Sequence, residues 1–121
     1  MTQSTTTYSS GDVVYVPFQF TDKPIAKNRP AVIISSDAYH ASRREVIIGA
    51  ITSHVRQSLF VGDHLIEGWQ ACGLAKPSVA TGIIRTVKAG MIRRRLGTLP
   101  EGDMATYQRA LSHALGLAGA P

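Results

Sequence analysis

The sequence predicts an α+β fold, mainly β, laid out as a small barrel with one C-terminal helix. Three observations carry this. The apolar runs between residues 13 and 87 are short, β-branched and separated by turn residues. Helical spacing of apolar residues is clear only near the end of the chain. Strands thus come first and a helix last, unlike an alternating βαβ chain. The 121 residues suffice for one core. The expected division is a disordered lead over 1–10, one domain over 11–117 and a short tail over 118–121.

Val13-Val14-Tyr15-Val16-Pro17-Phe18 reads as the first strand. Gln19 to Asn28 shows no useful alternation and is expected to be a long loop. Ala31 to Ser35 is the second strand, with Pro30 tolerable at its first residue. Val46 to Thr52 is the third, joined to the second by a charged loop from His40 to Glu45. Both strands are almost continuously apolar, which predicts burial on two faces near the middle of a sheet. Residues 64–66 read as a short strand, and Trp69 to Leu74 as either a helical turn or a loop.

Ser78 to Val87 is a fourth long strand in which Gly82 signals a bulge or bend. Met91 to Gly97 is ambiguous between a helical turn and an edge strand. Thr98-Leu99-Pro100-Glu101 has capping-box spacing. Met104, Tyr107, Leu111, Ala114 and Leu115 follow on one helical face, and Gly116 is a plausible stop.

Hydrophobic residues make up 44% and charged residues 17%, so a packed core is expected. The net charge is +5, and nine of the thirteen basic residues are Arg, the better residue for bidentate recognition of phosphate or carboxylate. That balance suits nucleic acid, an acidic protein or a membrane surface. The single cysteine, Cys72, excludes an intrachain disulfide framework and reads as a small buried residue. The polar N-terminus lacks the features of a secretion signal, and no apolar run approaches the roughly 20 residues of a membrane span. The expectation is a cytoplasmic protein without membrane contact.

There is no phosphate-binding Gly loop, no dinucleotide fingerprint and no His-Glu-x-x-His. His40, His54, His64 and His113 stand in no metal-ligand spacing, so neither metal nor other cofactor is expected. Three features remain. Arg29 is held at the entrance to an apolar strand by Pro30, which biases it toward extended geometry. Thr52 and Ser53 place two hydroxyls at the end of a buried strand, where they can donate to a phosphate or simply mark a turn. Arg93-Arg94-Arg95, with Arg85 and Lys88 nearby, can track a phosphate backbone, although three consecutive bases point in different directions.

Five blocks occur in order: Gly11-Asp12-Val13-Val14, Arg29 to Tyr39, Ile51-Thr52-Ser53, Gly73 to Ser78, and Leu96-Gly97-Thr98-Leu99. Together they make the chain similar to the MazF/PemK toxins of bacterial type II toxin–antitoxin systems, from about Gly11 to Leu117. The resemblance implies a curved SH3-like barrel with a C-terminal helix, a homodimer, and a metal-independent, sequence-specific endoribonuclease acting on single-stranded RNA. It also implies a cognate antitoxin that blocks the RNA groove with a flexible acidic segment. By the same resemblance the catalytic residues are Arg29 and Thr52, and these two alone are carried over; separately, Ser53, Phe20, Lys23, Lys27 and Arg85 are expected at the substrate. Phe18, Tyr39 and Phe60 are further stacking candidates, with core packing preferred for Phe18. His40 and His64 are candidate proton carriers that the sequence does not place near Arg29.

One departure stands out. Gly82-Ile83 occupies the place of an Asp-Gln pair that many members carry before Ile-Arg-Thr. The competing readings are a relative of the gyrase-binding toxin CcdB, which shares the fold, and an inactive relative. Arg29-Pro30 with Thr52-Ser53 fits the nuclease branch.

Overall fold

The computed structural model describes residues 7–18 and 27–117. Six antiparallel strands form one sheet in the order β4-β5-β3-β2-β1-β6, curled as a half-barrel. They are β1 (Asp12–Phe18), β2 (Lys27–Ile33), β3 (Glu45–Thr52), β4 (His64–Leu65), β5 (Val79–Lys88) and β6 (Arg94–Thr98). Helix α1 (Asp37–Ser42) lies between β2 and β3, a single 3-10 turn spans Ala89–Met91, and α2 (Glu101–Leu115) ends the fold.

β2 and β3 sit at the centre, as their continuous apolar runs require. Two cores form, one on each face. Val13, Val32, Ile51, Ile66, Cys72, Leu74, Leu99, Met104, Tyr107 and Leu111 make the first, which α2 and the 66–74 segment cover. Val14, Val16, Phe18, Ala31, Ile33, Val46, Ile48, Ala50 and Ile92 make the second. Alternation along β1 and β2 sends successive residues to opposite cores.

Several elements differ from the sequence reading. β2 begins at Lys27, so Lys27 and Asn28 belong to a strand, and Pro30 sits inside it opposite Tyr15. Tyr15 directs its carbonyl toward Arg93, which donates its N–H at 2.8 Å. The Tyr15–Pro30 pair therefore asks for no N–H from the proline. The expected charged loop from His40 to Glu45 is helical over its first half, as the end of α1, which is capped by Ser36, whose hydroxyl accepts the N–H of Tyr39 at 3.2 Å.

The capping box does not form. Thr98 is drawn into β6, where its hydroxyl donates to Asp12 at 3.2 Å, and Pro100 takes the cap position. Met104, Tyr107 and Leu111 are buried, but Ala114 and Leu115 are exposed because α2 outruns the sheet. Gly116 ends the helix in the left-handed conformation, φ 66°.

Gly82 lies at the expected bulge, where the β3–β5 register shifts between Gly49 and Ile51. There the Thr81 hydroxyl donates to the Ala50 carbonyl at 2.8 Å and accepts the Ile83 N–H at 3.2 Å. Tyr107, fully buried, donates its hydroxyl to the Thr81 carbonyl at 2.7 Å, and burial raises its pKa. Gly49 makes room for that hydroxyl, since a Cβ there would collide with it.

The start of α2 is tied to the sheet by Asp103. Its carboxylate accepts the N–H groups of Glu67 at 2.8 Å and Gly68 at 3.0 Å and pairs with His64 Nε2 at 2.7 Å. Burial alone would raise its pKa; these donors outweigh that and hold it below the usual carboxylate range. Within the expected lead, Tyr8 packs against the second core and its carbonyl accepts from His40 Nδ1 at 3.0 Å. His40 Nε2 then takes the Ser35 hydroxyl at 2.6 Å. Residues 1–6, 19–26 and 118–121 lie outside the described residues, and with them Phe20, Lys23 and most of the expected long loop.

Candidate active site

The β2–β3 ladder pairs Ile33 with Ile48, Val32 with Gly49 and Ala31 with Ala50, and stops there. Both strands continue: β2 reaches back to Lys27 and β3 runs on to Thr52. Continuing the same register two residues would place Arg29 opposite Thr52. A cleft of about 360 Å³ opens where the ladder stops. Arg29 and Pro30 line one lip, and Thr52 and Ser53 the other. Tyr15, Arg94 and Leu96 extend it across β1 and β6, and the segment from Gly73 to Ser78 supplies a wall with Leu74 and Lys76. Gly73 allows this wall to close on β6: its φ is 83°, and a Cβ there would strike the Leu96 carbonyl.

Among the described residues the lining holds three cations, Arg29, Lys76 and Arg94, and no carboxylate. None of the ion pairs among the described residues uses Lys76 or Arg94. Thr52 Oγ1 accepts the N–H of His54 at 3.1 Å. Its own proton has no acceptor among the described residues, so it is available to a ligand. Ser53 is exposed beside it.

The structure thus brings together Arg29, Thr52 and Ser53. It places Lys27 at the exposed start of β2, opposite Phe18 and outside the cleft. Arg85 is also outside: it lies opposite Ile48 on β5, with its guanidinium 5.5 Å from the Phe18 ring centre. Neither residue gains support as a substrate contact. Phe18 is core, as preferred. His40 and His64 are engaged with Ser35 and Asp103 and do not line the cleft. The histidine nearest Thr52 in the chain is His54, which also lines a smaller pocket of about 190 Å³ with Thr52, Arg56, Phe60, Asp63 and Ile83. Cys72 is buried, which pushes its thiol pKa up, and its Sγ lies 3.4 Å from the Trp69 carbonyl oxygen. Among the described residues no three His, Cys, Asp or Glu side chains gather as a metal site.

Sequence reading missed Tyr15, Lys76 and Arg94 at the cleft. Lys76 belonged to a recognised block without an assigned role, and Arg94 was hidden in a basic run whose members diverge.

Solved structures share this fold. An endoribonuclease in complex with its cognate antitoxin from a Mycobacterial species superposes with a TM-score of 0.74 at 19% identity, over 92% of this chain and 97% of that one. The Mycobacterium tuberculosis toxin MazF-mt6 gives 0.71 at 20% identity, over 88% and 97%. A MazE–MazF complex from Deinococcus radiodurans gives 0.70 at 20% identity, over 92% and 97%. No curated protein matches the sequence. The family model of the PemK-like, MazF-like toxins of type II toxin–antitoxin systems matches residues 9–115.

The chain belongs to this toxin family.

The match spans all six strands and ends at the last residue of α2, so the cleft of this MazF-like toxin lies wholly inside it. Gly82 is a bulge residue here: its N–H donates to Asp63 Oδ1 at 3.0 Å, and its backbone lies against that of Val61 and Gly62. Among the described residues, no helix is long and apolar enough to cross a membrane.

Proposed function

We propose that this toxin is a metal-independent, sequence-specific endoribonuclease that cuts single-stranded RNA in the cytoplasm. The observation that carries the reading is the cleft itself: among the described residues its lining brings three cations and the hydroxyls of Thr52 and Ser53 to the open end of the sheet, with no carboxylate to repel a phosphodiester. RNA brings its own nucleophile. The 2′-hydroxyl attacks the adjacent phosphorus in line, the bond from phosphorus to the 5′-oxygen breaks, and that oxygen leaves with a proton. The products are a 2′,3′-cyclic phosphate and a 5′-hydroxyl, and the 2′ proton passes to a base.

The protein's task is to orient this attack and to stabilise the charge that builds on the nonbridging oxygens. Arg29 suits it, being permanently charged and able to donate two parallel hydrogen bonds. Thr52 has a hydroxyl proton to give to the same phosphate. Specificity requires an unstacked strand whose bases are read one by one.

The cationic cleft also fits a flexible acidic antitoxin segment, and two of the superposing structures are described as toxin–antitoxin complexes. A homodimer is supported by exposed apolar side chains: Phe60 at 61%, Val61 at 64%, Leu115 at 59% and Leu117 at 57%. Gly62 abuts the Ala114 side chain, so the backbone after Val61 runs against the end of α2. The test is to incubate the toxin with long single-stranded RNA in EDTA and to map the ends. Discrete cuts ending in cyclic phosphate and 5′-hydroxyl support the reading; intact RNA across several substrates refutes it. Light scattering of the same sample reads the dimer.

A further inference from the structure

We infer that Arg94 and Lys76 form a second phosphate subsite, which holds the phosphate of a nucleotide flanking the cut. This rests on the reading of the cleft as an RNA site. The basic run over 93–95 is divided in the structure. Arg95 is committed to the fold, 3.1 Å from the Asp12 carboxylate and donating to the Thr7 carbonyl at 2.8 Å. Arg94 instead lines the cleft, its guanidinium 6.0 Å from the Tyr15 ring centre. Tyr15 in turn faces Pro30, so Arg94, Tyr15 and Pro30 form one row across β6, β1 and β2. The backbones at the ends of that row are two strand spacings apart, about 10 Å. Arg29, next to Pro30, meets this row where both line the cleft.

Lys76 comes from the opposite wall. Its carbonyl accepts the Ser78 hydroxyl at 2.8 Å, which fixes the segment that carries it. Lys76 and Arg94 line one cleft and neither has an ion pair among the described residues, an arrangement that favours an incoming anion. A strand with one phosphate per nucleotide supplies anions in series. Tyr15 presents its ring to the guanidinium of Arg94 and favours one orientation of it. Such a contact sets the register of the strand and reads no base.

The test is the salt dependence of binding. The probe is a fluorescent single-stranded RNA with 2′-fluoro sugars throughout, which lacks the nucleophile, and Kd is measured by anisotropy over a salt series. Loss of one phosphate contact on a single strand lowers the slope of log K against log salt by about 0.7. Arg94→Ala and Lys76→Ala are each expected to show that loss and the double variant about 1.4. Arg94→Lys keeps the slope. Arg109→Ala, which removes an exposed charge from α2, also keeps it. On cleavable RNA, Arg94→Ala raises KM and leaves kcat at saturation nearly unchanged. Thermal melting of each variant confirms the fold. An unchanged slope for Arg94→Ala and Lys76→Ala, with a reduced slope for Arg29→Ala, overturns this inference and leaves the RNA reading standing. A requirement for Arg94 only in binding an acidic polypeptide also overturns it. Failure of the wild-type toxin to bind the probe removes the RNA reading, and this inference with it.

Discussion

Arg29 and Thr52 lie two residues beyond the last β2–β3 pair, Ala31–Ala50, in matching register on strands that part to open a cleft. The ladder fixes both backbones from one side, and the gap between them is large enough for a ligand. An arginine on a strand is placed more firmly than one on a loop tip.

That placement makes the side chain's shape matter as well as its charge. Arg29→Lys retains a positive charge and loses the planar fork. Cleavage under single-turnover conditions is expected to fall by about tenfold or more, and Arg29→Ala by about 10² to 10³, the usual loss for one preorganised donor to a developing oxyanion. Equal rates for Arg29→Lys and wild type would show that only the charge counts.

Asp103 ties stability to pH. Its folded pKa lies below the ordinary value of 3.8, so its stabilising contribution is complete above that value. The contribution is lost as pH falls from there through the folded pKa. Urea midpoints measured from pH 6 down to about 2 should therefore drop more steeply for wild type than for Asp103→Asn over the lowest part of the range. Asp103→Ala also strands the N–H groups of Glu67 and Gly68 and should cost about 2–4 kcal/mol at neutral pH.

Gly49 and Tyr107 are coupled by contact. Tyr107→Phe removes the hydrogen bond to Thr81 and should cost about 1 kcal/mol. Gly49→Ala drives a methyl into the Tyr107 hydroxyl and should cost more. Combining the two removes the closest contact and leaves the milder ones to the ring and the Thr81 carbonyl, so denaturation of the double variant should show less destabilisation than the sum. Strict additivity would mean that the hydroxyl is not where the structure puts it.

Much of this fold is legible in the sequence because β2 and β3 are apolar on both faces and can be stable only in the middle of a sheet. The stop at Gly116 is legible because its left-handed φ favours glycine, and Gly82 within an apolar run signals the bulge although its φ is ordinary. What was not legible depends on partners distant in sequence. Thr98 has capping-box spacing, yet Asp12, 86 residues away, takes its hydroxyl into β6. Pro30 reads as a strand's first residue because its exemption from pairing is set by Tyr15 and Arg93. At the site, Arg29 and Thr52 were found through the resemblance, since spacing alone favoured an ordinary surface arginine and a turn. Arg94 could not be told from Arg93 and Arg95 until Asp12 claimed Arg95.

The most direct test of the central claim uses two matched oligonucleotides that contain a mapped cut site, one all-ribose and one with a single 2′-deoxy sugar at the cut. Both are incubated with wild-type toxin and with Arg29→Ala in EDTA. Wild type is expected to cut only the all-ribose strand, leaving a 2′,3′-cyclic phosphate and a 5′-hydroxyl, and Arg29→Ala to cut neither at a comparable rate. Cleavage at the deoxy position, or undiminished cleavage by Arg29→Ala, would contradict it.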